Sequence, residues 1–235
     1  MVRVAAAADS QFAMEELSKG FASGGGAKVE VTTGSSGNFF AQIQGGAPFD
    51  LFFSADLDYP RKLEASGFAE SGTLYEYALG QLVIWMPADS QVSIEREKWN
   101  ALSDARIHRI AIANPSLAPY GRAAVSALQK AGIYEQVKAK LVYGENISQA
   151  AQFVQSGNAQ AGIIAHSLAL SQGMKGGKVW EIPPEMHPPI KQAVVVLKNA
   201  KDNLAALAFL NFVKSEAGRA ILEKSGFTVP RQNSR

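Results

Sequence analysis

The sequence predicts an α/β protein. Strand, loop and helix alternate along nearly the whole chain, several strands are short continuous apolar runs of the buried parallel type, and glycines stop the helices. Such alternation builds parallel sheets joined by right-handed crossovers. The 235 residues suffice for one large α/β domain or for two lobes of roughly 100 residues each.

The elements follow in order. Residues 2–8 form a short apolar strand. Residues 12–21 form a helix with Ala13, Leu17 and Phe21 at spacing four on one face, ended by Gly24-Gly25-Gly26. Residues 28–33 alternate as a strand, and 39–44 make a short helix stopped by Gly45-Gly46. Residues 49–54 are a continuous apolar strand, and 61–66 are helical up to Gly67. Residues 82–86 and 107–113 are strands, and a helix covers 121–130 before Gly132. Residues 139–143 are strand-like, 148–155 are helical with Gly157 behind them, and 162–165 and 192–197 are strands. Residues 204–223 make one or two helices. The long apolar strands at 82–86 and 192–197 suit crossings between two lobes. This predicts lobe one as 1–82 plus 195–235 and lobe two as 83–194.

Composition excludes several classes. Hydrophobic residues at 47% against 19% charged make an ordinary globular chain, not a disordered one. A net charge of +2, with no basic stripe interleaved with aromatics, gives nucleic acid nothing to hold. The absence of cysteine removes thiol catalysis, thiolate metal sites and disulfides. No apolar run reaches membrane-spanning length, and no repeat of solenoid period is present. Met1-Val2-Arg3 runs straight into the alanine-rich strand, so a cytoplasmic or a mature, already processed chain is expected.

Four loops share one property: each follows a strand, is rich in small or polar residues and opens a helix. They are Ala8-Asp9-Ser10-Gln11, Gly34-Ser35-Ser36-Gly37-Asn38, Asn114-Pro115-Ser116-Leu117-Ala118-Pro119-Tyr120-Gly121 and Gly144-Glu145-Asn146-Ile147-Ser148-Gln149. A helix start presents unpaired N–H groups and the positive end of the macrodipole. Several starts aimed at one point cage an anion without lysine or arginine. In doubly wound sheets such loops lie where ligands bind, and two cages on opposing lobes would close like a clamp.

Each loop alone has a plainer reading. Ser35 or Ser36 is a good N-cap, Asn146 with Gln149 reads as a capping box, and Pro119 is ordinary first-turn proline. Tyr120 alone is more often packing. The set of four carries the suggestion. Asp9 is awkward, since a carboxylate beside a dianion costs about 4 kcal/mol per unit charge at 4 Å and an effective dielectric of 20. It caps the first helix with its side chain turned away, or it accepts a hydrogen bond from a protonated anion.

Enzyme motifs fail. Asn38 stands where a G-x-S-x-G elbow needs glycine, and Lys175-Gly176-Gly177-Lys178-Val179 lacks the hydroxyl residue of a P-loop. His108, His166 and His187 are far apart and show no metal spacing. His166, ending the 162–165 strand, is placed to approach a cleft. No base and nucleophile pair is recognisable, so no enzyme is expected.

At these residues the chain resembles the periplasmic molybdate-binding proteins (ModA) of ABC transporters. The resemblance includes Ala5-Ala6-Ala7-Ala8 and Gly34-Ser35-Ser36-Gly37, then the stretch from Gly46-Ala47-Pro48-Phe49-Asp50 through Leu51-Phe52-Phe53-Ser54-Ala55-Asp56. It continues in Ala118-Pro119-Tyr120-Gly121 and closes with Gly226-Phe227-Thr228-Val229-Pro230. The resemblance implies a type II periplasmic-binding fold, with two α/β lobes of mixed, mostly parallel sheets and a ligand cleft between them. It implies molybdate or tungstate held by neutral donors from Ala8, Asp9, Ser10, Ser36, Tyr120 and the backbone N–H of Ile147. It implies no metal ligand, no cofactor and no catalysis, a monomer in the periplasm, and a permease and ATPase as partners. Two positions depart from the pattern. The first loop often carries a hydroxyl or Asn, where this chain has Ala8 and the anionic Asp9. Some members carry a tyrosine where Ala165 stands. The departures bear on which anion is bound, and leave phosphate, sulfate or a small carboxylate as the alternative, with Asp9 the acceptor for a protonated ligand.

Overall fold

The apolar runs of the sequence become the inner strands of two five-stranded sheets. The computed structural model describes residues 1–200 and 203–230. β1 (Val2–Ala7) passes through a 3-10 turn (Ala8–Ser10) into α1 (Gln11–Ser23). β2 (Val29–Gly34) leads to α2 (Ser36–Gln44), and β3 (Leu51–Ser54) to α3 (Asp58–Ala65). Next come β4 (Tyr75–Gly80), β5 (Leu82–Met86), α4 (Ile94–Glu97), β6 (Ile110–Ala113) and α5 (Pro119–Lys130). α6 (Tyr134–Val137), β7 (Leu141–Gly144), α7 (Ile147–Gln155), β8 (Ala161–Ala165), α8 (His166–Ala169) and β9 (Lys178–Glu181) follow. β10 (Ile190–Val196), α9 (Asn203–Lys214) and α10 (Glu216–Lys224) complete the chain.

The chain divides into two units, one of Met1–Gly80 with the return from Lys191 onward, the other of Gln81–Ile190. The changes fall just before β5 and near the start of β10, rather than within the strands at 82/83 and 194/195 as the apolar runs suggest. Ladder hydrogen bonding gives the reason: all of β5 pairs with β8 and β9, so Leu82 belongs with the strand that follows it.

In the first unit the strand order is β2-β1-β3-β10-β4. β1 is parallel to β2 and β3, and β10 runs antiparallel to β3. The strand period of two splits these residues between two cores. Val4, Ala6, Leu51, Phe53, Val194 and Val196 face α1, α9 and α10, where Leu17, Phe209 and Leu222 meet them. Ala5, Phe52 and Val195 face the other way, onto Phe39 and Ile43 of α2 and Leu63 of α3. Both faces are covered, which explains the continuous apolar strands. Asp50, buried just ahead of β3, accepts from Arg3 N at 2.6 Å and pairs with the Arg3 guanidinium at 3.2 Å, fixing β3 against β1. The C-terminal Gly226-Phe227-Thr228-Val229-Pro230 motif is structural. Thr228 exchanges backbone hydrogen bonds with Leu79 of β4, and Phe227 and Val229 enter the first core.

In the second unit the order is β7-β6-β8-β5-β9. β6 is parallel to β7 and β8, and β5 is antiparallel to β8 and β9. Every residue of β5, β6 and β8 is buried. Among the described residues no helix is long and apolar enough to cross a membrane.

Candidate functional site

Each unit brings two of the four loops together. In the first unit the β1–β2 register sets Ala7 opposite Gly34, so the turn carrying Ala8, Asp9 and Ser10 lies beside the start of α2. Ser35 is the N-cap of α2, its Oγ accepting from Asn38 N at 3.4 Å. The helix therefore starts at Ser36, three residues before the Phe39 at which the apolar period begins.

That division of labour frees Ser36 from capping. It is 1% exposed, and its Oγ accepts the backbone N–H of Ala55 at 3.0 Å. A hydroxyl that accepts on one lone pair still has its own proton to donate. Ala55 is held for this bond by the Ser54–Asp56 turn, where Asp56 N donates to Ser54 Oγ at 3.2 Å and Asp56 Oδ1 accepts from Tyr59 N at 3.0 Å. The Phe-Phe-Ser-Ala-Asp stretch thus supports Ser36. No side-chain pattern announces this partner, because the donor is a backbone group.

Asp9 and Ser10 stand differently from the expectation. The N-cap position of α1 falls on Ser10, not on Asp9. Ser10 Oγ donates to Ala7 O at 2.7 Å, so its single proton is committed and the residue can offer a ligand only its backbone N–H. Asp9, 1% exposed, accepts on Oδ2 from Gln192 Nε2 of β10 at 2.7 Å. Gln192 Oε1 in turn accepts from the Tyr77 hydroxyl of β4 at 3.0 Å. Burial pushes the Tyr77 phenol well above its usual pKa, and the Asp9 charge adds to the shift, so the phenol stays a neutral donor. Neither Gln192 nor Tyr77 is legible from the sequence, where one leads an apolar strand and the other lies in β4, outside the strands read from the apolar runs.

In the second unit β6 and β7 pair with Ala113 opposite Gly144, and Asn114 N donates to Gly144 O at 2.7 Å. The starts of α5 and α7 therefore follow adjacent strand ends. α5 opens with Pro119 at its first position and Tyr120, 1% exposed, at its second; its cap residue Ala118 makes no side-chain bond. Gly121 lies so close to the preceding loop that an added Cβ would sit 2.2 Å from Ala113 O and 2.8 Å from Pro115 N. α7 begins at Ile147, buried, behind Asn146, whose side chain accepts from Gln149 N at 3.0 Å. Gln149 Oε1 accepts from Glu145 N at 2.6 Å, one residue earlier than a standard capping box would reach. Ala165 ends β8, with no hydroxyl to add.

The histidines are dispersed. His108 is exposed, His166 opens α8 with Nδ1 3.0 Å from Gln81 Oε1, and His187 Nδ1 lies 2.8 Å from Pro188 O. Among the described residues no three His, Asp or Glu side chains converge as metal ligands.

Two α/β units, each ending adjacent parallel strands in helix starts, have the architecture of a solute-binding protein. The profile of the bacterial extracellular solute-binding proteins matches residues 2–228. The molybdate-binding protein ModA of Azotobacter vinelandii is 38% identical over 96% of this chain and 89% of its own length. That of Rhodobacter capsulatus is 38% identical over 97% and 88%. The solved structure of the periplasmic molybdate-binding protein of Azotobacter vinelandii superposes with a TM-score of 0.92 at 32% identity, covering 98% of this chain and all of that one. The chain belongs to the ModA family of these solute-binding proteins.

Proposed function

We propose that this chain is a periplasmic receptor that captures molybdate, or the like-shaped tungstate, and delivers it to the permease and ATPase of an ABC importer, acting as a monomer and without catalysis. In the first unit the donors are the backbone N–H groups of Ala8, Asp9 and Ser10 and the Ser36 hydroxyl. In the second they are Tyr120 and the Ile147 N–H. The observation that carries the reading is Ser36: a buried hydroxyl at a helix start, relieved of capping by Ser35 and oriented by Ala55 N, with a proton left to give. Neutral donors suit a dianion because aligned N–H dipoles stabilise it at little desolvation cost. Selectivity over sulfate then rests on size, since all these dianions present the same four acceptor oxygens.

The alternative is a protonated phosphate or small carboxylate accepted by Asp9, whose Oδ2 already accepts from Gln192. Thermal-shift titration at neutral pH with molybdate, tungstate, sulfate and phosphate separates the two. A ligand at a hundred times its Kd stabilises the native state by about 2.7 kcal/mol. The expected result is a large shift with molybdate and tungstate and little with the others. A shift with phosphate alone would transfer the site to the protonated anion, and no shift with any of the four would remove oxyanion binding.

A further inference from the structure

The first loop holds a contradiction that the proposed oxyanion reading, on which this inference rests, must resolve: its turn presents N–H groups to an anion, yet its central residue is a buried carboxylate. The resolution lies in a chain of three buried side chains. Tyr77 O–H donates to Gln192 Oε1 at 3.0 Å, and Gln192 Nε2 donates to Asp9 Oδ2 at 2.7 Å. The polarity is forced at both ends. A carboxylate can only accept, so the amide must turn its NH2 to Asp9, and its carbonyl then needs a donor, which the neutral Tyr77 phenol supplies. The sheet gives the direction. β3 lies between β1 and β10, so the bond draws the Asp9 side chain past the end of β3 toward β10.

We propose that Gln192 and Tyr77 are positioning residues for the anion site, holding the Asp9 carboxylate on β10 so that the turn meets the oxyanion with its N–H groups and not with its charge. Neither residue touches the ligand; both act through Asp9. Their role is electrostatic restraint, and this separates it from packing. If Gln192 only filled space, removing the Asp9 charge would not repair its loss.

The test is molybdate affinity, by calorimetry, for the unsubstituted protein, Gln192→Leu, and Gln192→Leu combined with Asp9→Asn. Gln192→Leu is expected to weaken binding about tenfold, within the range of couplings measured between contacting polar groups. Adding Asp9→Asn is expected to restore affinity to within about threefold of the unsubstituted protein, since the coupling is with the charge. A double variant as weak as Gln192→Leu, or a Gln192→Leu that binds normally, overturns the inference. Should Gln192→Leu fail to fold, Tyr77→Phe, which keeps the ring and removes only the donor, replaces it; binding that Tyr77→Phe leaves unchanged, or weakens without rescue by Asp9→Asn, likewise overturns it. Failure of the unsubstituted protein to bind molybdate is a different result, and it removes the oxyanion reading itself.

Discussion

Ser36 Oγ accepts the Ala55 N–H at 3.0 Å while the neighbouring Ser35 caps the helix. Adjacent serines thus do separate jobs. Ser36→Ala is expected to cost molybdate affinity roughly 1–3 kcal/mol, the worth of a hydrogen bond to a charged group, and some stability through the orphaned Ala55 N–H. Ser35→Ala is expected to cost stability by about 0.5–2 kcal/mol, the worth of an N-cap, with a smaller loss of affinity than Ser36→Ala. Calorimetric titration beside chemical denaturation checks both. If Ser35→Ala harms binding more than Ser36→Ala in folded protein, the assignment is reversed and Ser36 leaves the site.

These two residues show where sequence reading reached and where it stopped. The apolar period of α2 begins at Phe39, so periodicity starts the helix there; the cap, Ser35, lies four residues earlier, where residue type and not periodicity marks it. Asn146 and Gln149 were legible as a box because both partners are side chains of the expected types. The continuous apolar runs of β3, β5 and β8 were legible because both faces are buried. β4 was not, since its alternation is confined to Tyr75-Glu76-Tyr77 and gives way to Ala78 and Leu79, too short a stretch to set a period of two. The break between α9 and α10 falls at Ser215, a capping serine inside an otherwise continuous helical pattern, which is why that stretch reads as one helix or two. The Asp9–Gln192 bond spans 183 residues of sequence, and no local pattern encodes such a pair.

Gly121 makes the close approach of α5 to the loop before it possible. A Cβ there would lie 2.2 Å from Ala113 O and 2.8 Å from Pro115 N, both backbone atoms with no rotamer to escape into. Gly121→Ala is expected to destabilise by about 1–3 kcal/mol, as overpacking does. At roughly 2–4 °C per kcal/mol for a chain of this size, the loss appears as a lower Tm. The displaced start of α5 is also expected to weaken molybdate binding through Tyr120. An unchanged Tm would mean that the loop yields freely and that this glycine has no steric role.

Tyr77 gives an alkaline prediction with a definite sign. Burial raises its phenol pKa well above the ordinary value, and the Asp9 charge raises it further. Below the unfolded value of about 10 both states keep the proton, and the contribution of the buried phenol is fully present. As pH rises beyond that, the unfolded chain releases its proton first, so this contribution is lost toward the folded pKa. Ultraviolet titration of the phenolate band is expected to show the Tyr77 share only as the protein unfolds. Tyr77→Phe, which has no proton to lose, is expected to unfold less steeply with pH above the ordinary phenol range, although it is less stable at neutral pH for want of the bond to Gln192. If the substituted and unsubstituted proteins lose stability with the same slope in alkali, the Tyr77 phenol is not held neutral by burial, and the donor that fixes Gln192 against Asp9 has to be sought elsewhere.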